Sequence, residues 1–194
     1  EFVDDGGTVF NDIDRYCILD RYPNPKGKLY AGLDLGRAED YTVLTIIDEE
    51  GRIVDIYRDR QKPWDVLVSN IMVYLRKYNP ILQVEVNSIG DVIYETLKKQ
   101  YSKTFPFQTN TYSKQNIIED LILGLNLGKL QLPSKDLNQD LYNELQTFTY
   151  SYSPSTRNVK YEGKKGFYDD MIMSLAIGYN TMKSKQSKGT YAFK

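Results

Sequence analysis

The chain has 194 residues, 41% hydrophobic and 26% charged, which suits one well-buried domain better than two. A formal net charge of −1 and the lack of any histidine exclude a bulk cationic field for nucleic acid, Ser-His-Asp and Cys-His catalysis, Cys₂His₂ zinc fingers and histidine general bases. The single cysteine, Cys17, cannot form an internal disulfide, and no apolar run approaches the ~20 residues that span a bilayer, so a soluble protein of a reducing, intracellular compartment is expected.

Residues 1–27 are polar and lack a sustained period before the Pro23-Asn24-Pro25 break, so they are expected to be a linker or the tail of something upstream. The missing initiator methionine fits a fragment of a longer chain. The domain proper is expected over residues 28–184, with a polar tail at 185–194. Lys28 to Gly36 predicts a strand in which Tyr30, Gly32, Asp34 and Gly36 alternate with Ala31, Leu33 and Leu35, so one face is apolar and the other presents a carboxylate. Glycines at 32 and 36 leave the backbone bare, as suits the close approach of a phosphate or hydrated metal. The competing reading of Asp34 is a buried structural acid satisfied by hydrogen bonds.

Strands at Tyr41–Asp48 and Ile53–Arg58 complete an antiparallel meander. Pro63 opens a helix with Trp64, Leu67, Val68, Ile71, Met72 and Leu75 at helical spacing, and Asn79-Pro80 stops it. Ile81–Val86, reading ILQVEV, has the apolar character of a central strand, carries Glu85 near its end and is expected beside the first strand. A turn at 87–91 leads into a helix over Val92–Tyr101, followed by a strand at Phe105–Asn110. Ser113 is expected to cap a helix buried through Ile117, Ile118, Leu121, Ile122 and Leu125 and ended by Gly128. An extended piece at Lys129–Leu132, a helix from Ser134 to Leu145, a hairpin of Thr147–Tyr152 with Val159–Tyr161, and a last helix from Tyr168 to Lys183 complete the chain. The whole predicts an α/β fold, a mixed sheet flanked by helices.

Three separated elements offer acid: Asp34, Glu85, and the pair Asp169-Asp170 opening an apolar helix. A helix start favours acids through its dipole and free amides, which is the bland account of the pair. Glu85 inside VEV has a weaker bland account, since an unpartnered buried carboxylate is costly. Acids that repel one another are tolerated around divalent cations, and without His the ligands would all be oxygen, favouring Mg²⁺ or Mn²⁺.

In these residues the chain resembles the nuclease domain of the large terminase subunit of tailed bacteriophages, which has the ribonuclease H-like fold. The motifs that carry the resemblance are GLDLGRAEDYTVLTIID at 32–48, VEVNSIGDVI at 84–93 and GFYDDMIMSLAIGY at 166–179, spanning about Tyr30 to Tyr179. FVDDGGTVF near the amino end is similar to the segment that joins a packaging ATPase to the nuclease. The resemblance implies that Asp34, Glu85 and one or both of Asp169 and Asp170 are catalytic and hold two divalent cations, Mg or Mn, with Asp40 as an accessory acid. Asp40 has the competing role of a turn residue. Tyr168 departs from the pattern, standing where many relatives have histidine.

The implied reaction is two-metal phosphodiester hydrolysis, cutting concatemeric viral double-stranded DNA during genome packaging in the host cytoplasm. The implied partners are an N-terminal packaging ATPase domain, the small terminase subunit and the portal, with no membrane and a monomeric isolated domain. Arg157, Lys160, Lys164 and Lys165 cluster on the predicted hairpin and are expected to contact DNA phosphates, unless they are ordinary solvated lysines. Rival readings are a Holliday-junction resolvase or another ribonuclease H-like nuclease, a non-catalytic DNA- or portal-docking module, and an actin-like ATPase, which would need a second lobe.

Overall fold

The computed structural model describes residues 7–36, 40–86, 90–153 and 158–190. A 3₁₀ turn at Ile13–Arg15 and strand β1 (Cys17–Leu19) precede the meander of β2 (Leu29–Asp34), β3 (Thr42–Asp48) and β4 (Ile53–Asp59). Helix α1 (Trp64–Tyr78) returns the chain to β5 (Ile81–Glu85), and α2 (Gly90–Gln100) leads to β6 (Thr104–Phe107). Then come α3 (Thr111–Asn126), β7 (Leu132–Pro133), α4 (Gln139–Thr147), the hairpin β8 (Phe148–Ser153) and β9 (Asn158–Gly163), and α5 (Asp170–Thr190). The main sheet runs β4-β3-β2-β5-β6. Its meander is antiparallel, while β5 joins β2, and β6 joins β5, in parallel, each after a helical crossover.

The two faces of β2 bury different things. Ala31 and Leu33, with Leu44, Ile46, Leu82 and Val84, pack against α1 and α2 through Val68, Ile71, Leu75 and Leu97. Tyr30, Val43 and Ile47 pack on the other face with Met171, Ile172, Leu175, Ala176 and Tyr179 of α5. Covering both faces explains why the apolar character of these strands is nearly continuous. The bare backbone at Gly32 serves this packing rather than a ligand: a Cβ there would collide with the Ser174 carbonyl and the Gly178 amide of α5. Ser174 Oγ donates to the Gly32 carbonyl at 2.9 Å and also lies 2.9 Å from Thr45 Oγ1, so the helix is pinned to β2 and β3.

Several local features differ from expectation. The amino-terminal stretch carries buried Phe10, Ile13, Tyr16 and Cys17, and β1 pairs in parallel with β7. A three-residue turn and a three-residue strand are too short to display a period, so this packing left no pattern. Asn110, not Ser113, is the N-cap of α3; the two side chains bond each other's backbone amides in a capping box. Residues from Ser134 form a turn, and α4 starts after Asn138, whose side chain accepts from Leu141 N. The last helix begins at Asp170 and continues past Lys183 to Thr190. Residues 87–89 of the turn expected at 87–91, and residues 154–157 between the two hairpin strands, lie outside the described residues. Among the described residues, no helix is long and apolar enough to cross a membrane.

Candidate functional site

Parallel register brings the first two acids together. Tyr30 lies beside Ile81 and Leu33 beside Val84, so the next step along both strands sets Asp34 next to Glu85 at their carboxyl ends. Both side chains take the face covered by α5, because they alternate with Leu33 and Val84 on the opposite face. Asp34 is 7% exposed. Burial, a side-chain hydrogen bond with Glu85, and the charges of Glu85, Asp170 and Asp169 hold its carboxyl well above the usual range. The same row runs the other way, with Asp34 opposite Val43 and Val43 opposite Arg58.

The start of α5 supplies the third acid. Asp170 is the first helical residue and is buried, and its Oδ2 accepts the Tyr41 backbone amide at 3.1 Å. Its carboxyl is pushed up to about 6, chiefly by burial and also by the charges of Asp169 and Asp40; the Tyr41 amide and Arg58 oppose this. Asp169 precedes it, its carbonyl accepting Met173 N at 2.9 Å and its Oδ2 lying 3.2 Å from Lys114 Nζ. Asp40 is exposed, and its charge reaches Asp170.

One further acid, Glu144, had no place among the residues singled out from the sequence. Glu144 of α4 is 4% exposed, and its Oε2 accepts the amides of Met171 at 2.9 Å and Ile172 at 3.4 Å, satisfying the open amino end of α5. Burial pushes its carboxyl up to about 8 against those amides, and Arg58 Nη2 stands 3.8 Å from Oε1. The sequence held a signal, since Glu144 shares the buried face of α4 with Leu141 and Leu145.

The structure joins Asp34 to Glu85 directly, while Asp169 pairs with Lys114 and Asp170 accepts the Tyr41 amide, both near enough for their charges to act on Asp34. Among the described residues, no group of three or more acid, His or Cys side chains stands ready to hold a metal ion. The donor set nonetheless suits a hard cation: it is all oxygen, partly buried, and crowded enough with like charge to raise proton affinity.

Of the expected DNA contacts, Lys160 pairs with Glu162 at 2.6 Å and lines a groove of about 600 Å³ with Lys114, Phe167 and Asp169. Lys164 and Lys165 line a different groove with Thr147 and Tyr150, containing none of the candidate acids. Arg157 lies outside the described residues.

Neither a protein-family model nor a curated protein sequence matches the chain. Solved structures do: the large terminase nuclease from thermophilic phage G20c aligns with a TM-score of 0.75 and 25% identity, over 89% of this chain and 97% of that one. The chain has the fold of a large terminase nuclease domain. The same phage's nuclease with bound magnesium gives a TM-score of 0.76 at 24% identity, covering 89% of this chain and 96% of that one. The large terminase of bacteriophage HK97 gives 0.67 at 12% identity; 89% of this chain aligns with 43% of that longer chain, so the terminase nuclease fold is one part of it.

Proposed function

We propose that this domain is a metal-dependent endonuclease that cuts double-stranded viral DNA during genome packaging. The observation that carries this reading is Asp34 beside Glu85 on adjacent parallel strands, with Asp170 at the head of the helix packed over them, in a terminase nuclease fold. Nuclease domains of this fold have been solved with bound magnesium and, from bacteriophage SPP1, with bound manganese. Asp34, Glu85, Asp170 and Asp169 would hold two divalent cations, Mg or Mn, with Asp40 at the margin. Bound cations would supply charge stabilisation at the scissile phosphate and a lowered pKa for water.

The chain's own residues do the positioning. Pinning of α5 at Gly32 and Thr45, with Glu144 satisfying its amino end, fixes where Asp170 stands relative to the strand acids. No side-chain base is needed, in keeping with the absence of histidine. The wider setting fits a larger assembly with a packaging ATPase domain, the small terminase subunit and the portal, acting in the host cytoplasm.

A plasmid-cleavage assay with Mn²⁺, Mg²⁺ or chelator tests the reading. The parent should nick and linearise plasmid with either metal and stop with chelator. Folded Glu85→Ala should lose activity by about a thousandfold, equivalent to ~4 kcal/mol of transition-state stabilisation. Full activity in that variant would overturn the assignment, and cleavage of four-way junctions but not linear duplex would favour a resolvase.

A further inference from the structure

An acidic centre repels the polyanion it would cut, so the rim must supply cations already in position. Of the hairpin lysines, Lys160 is paired with Glu162 in the groove that Asp169 also lines, and Lys164 and Lys165 line a second groove that holds none of the candidate acids. The end of β4 offers something different. Arg58 stands in the Asp34 row and Arg60 follows it two residues on, so both alternate onto that face. Arg58 is spent internally: its guanidinium lies 3.4 Å from the Tyr41 ring centroid and bonds Asp140 at 2.9 Å.

Arg60 is exposed, and among the described residues its guanidinium makes no ion pair within 4.0 Å. Two tyrosines hold it. It lies 4.8 Å from the Tyr41 ring centroid, and its Nη1 donates to Tyr168 Oη at 2.9 Å. The two rings meet edge to face at 4.9 Å. Both tyrosines are tied to the acids, since Tyr41 donates its amide to Asp170 and Tyr168 immediately precedes Asp169. Fixing an arginine ordinarily costs side-chain entropy, and these rings already hold this one with part of its donor fork unused.

We propose that Arg60, held by Tyr41 and Tyr168, is a phosphate-binding residue that receives the backbone of duplex DNA beside the cleaved bond. The inference rests on the nuclease reading above. Tyr41 and Tyr168 act through Arg60 as positioning residues, and a planar guanidinium suits paired phosphate oxygens better than an ammonium does.

The test is binding of a fluorescent linear duplex across a salt series, in a Glu85→Gln background so that the duplex stays intact, beside plasmid cleavage by the otherwise unaltered chain. Arg60→Ala should weaken binding roughly tenfold or more and flatten the log Kd against log salt slope by about 0.9, with the melting temperature unchanged. Arg60→Lys should keep the salt slope and recover part of the affinity. Tyr168→Phe should keep the slope and lose a smaller part of the affinity. A parent that cuts plasmid while Arg60→Ala binds duplex with unaltered affinity and salt slope would overturn this inference and leave the nuclease reading standing. A parent that neither binds nor cuts DNA would overturn both.

Discussion

Lys114 of α3 and Asp169, just ahead of α5, form an ion pair with Nζ 3.2 Å from Oδ2, the two side chains 29% and 26% exposed. The pair occupies a carboxylate oxygen of a candidate ligand with a positive charge, against which a metal cation would have to compete. Lys114→Met should therefore increase the rise in melting temperature produced by sub-saturating Mn²⁺, because binding to the native state stabilises it by mass action. Without metal the variant should lose at most ~1 kcal/mol, the usual ceiling for a partly exposed pair. Thermal melts across a Mn²⁺ titration decide it; superimposable curves for parent and variant would show that the lysine does not oppose the cation.

Glu144 accepts two amides at the start of α5 while itself 4% exposed. Glu144→Ala leaves those donors without their acceptor and should cost about 1–3 kcal/mol. Glu144→Gln retains an acceptor oxygen and should cost less. Urea midpoints measure both, and an alanine variant as stable as the parent would remove Glu144 from the support of Asp170.

Gly32 is where α5 comes closest to β2. Adding a methyl group there meets backbone, which cannot swing aside as a side chain can. Gly32→Ala should destabilise by about 1–3 kcal/mol or more, and any folded fraction should cleave poorly because Asp170 moves relative to Asp34. An alanine variant with the parent's urea midpoint would show that helix and strand are not in register-critical contact.

Cys17 is buried, and burial, reinforced by the charge of Asp14, pushes its thiol up to about 12. The unfolded chain ionises this thiol near the ordinary value of about 8.5. Since the folded value is the higher one, ionisation favours unfolding: the thiol's contribution is fully present below about pH 8.5 and is lost as pH rises towards 12. Cys17→Ala should flatten the fall of stability between pH 8.5 and 10 whatever it does to absolute stability. A thiol-specific chromogenic reagent should also react slowly with the native chain and fast in denaturant; rapid native reaction would contradict the burial.

Elements that bury a recognisable face were legible in the order of residues alone. Alternation marked β2, helical spacing marked α1 and α3, and Asn79-Pro80 and Gly128 marked their ends, because periodicity and backbone restriction are local properties. The sequence also put Asp34 and Glu85 on apolar strands and the pair Asp169-Asp170 at a helix start; the structure ends β2 at Asp34 and β5 at Glu85 and begins the helix at Asp170. Which acids meet, and which partner each takes, followed from strand register and helix packing. Asp34 and Asp48 are both buried strand-end acids, yet Asp48 accepts the amides of Lys26, Glu50 and Arg52 and the Arg52 guanidinium at one end of the sheet, while Asp34 at the other end faces Glu85. Gly32 was read as room for a ligand and proved to be room for α5, and Glu144 reaches Met171 from 27 residues away. Local pattern records how deeply a side chain is buried; which distant group it is buried against follows from strand register and helix packing, which no short window of sequence contains.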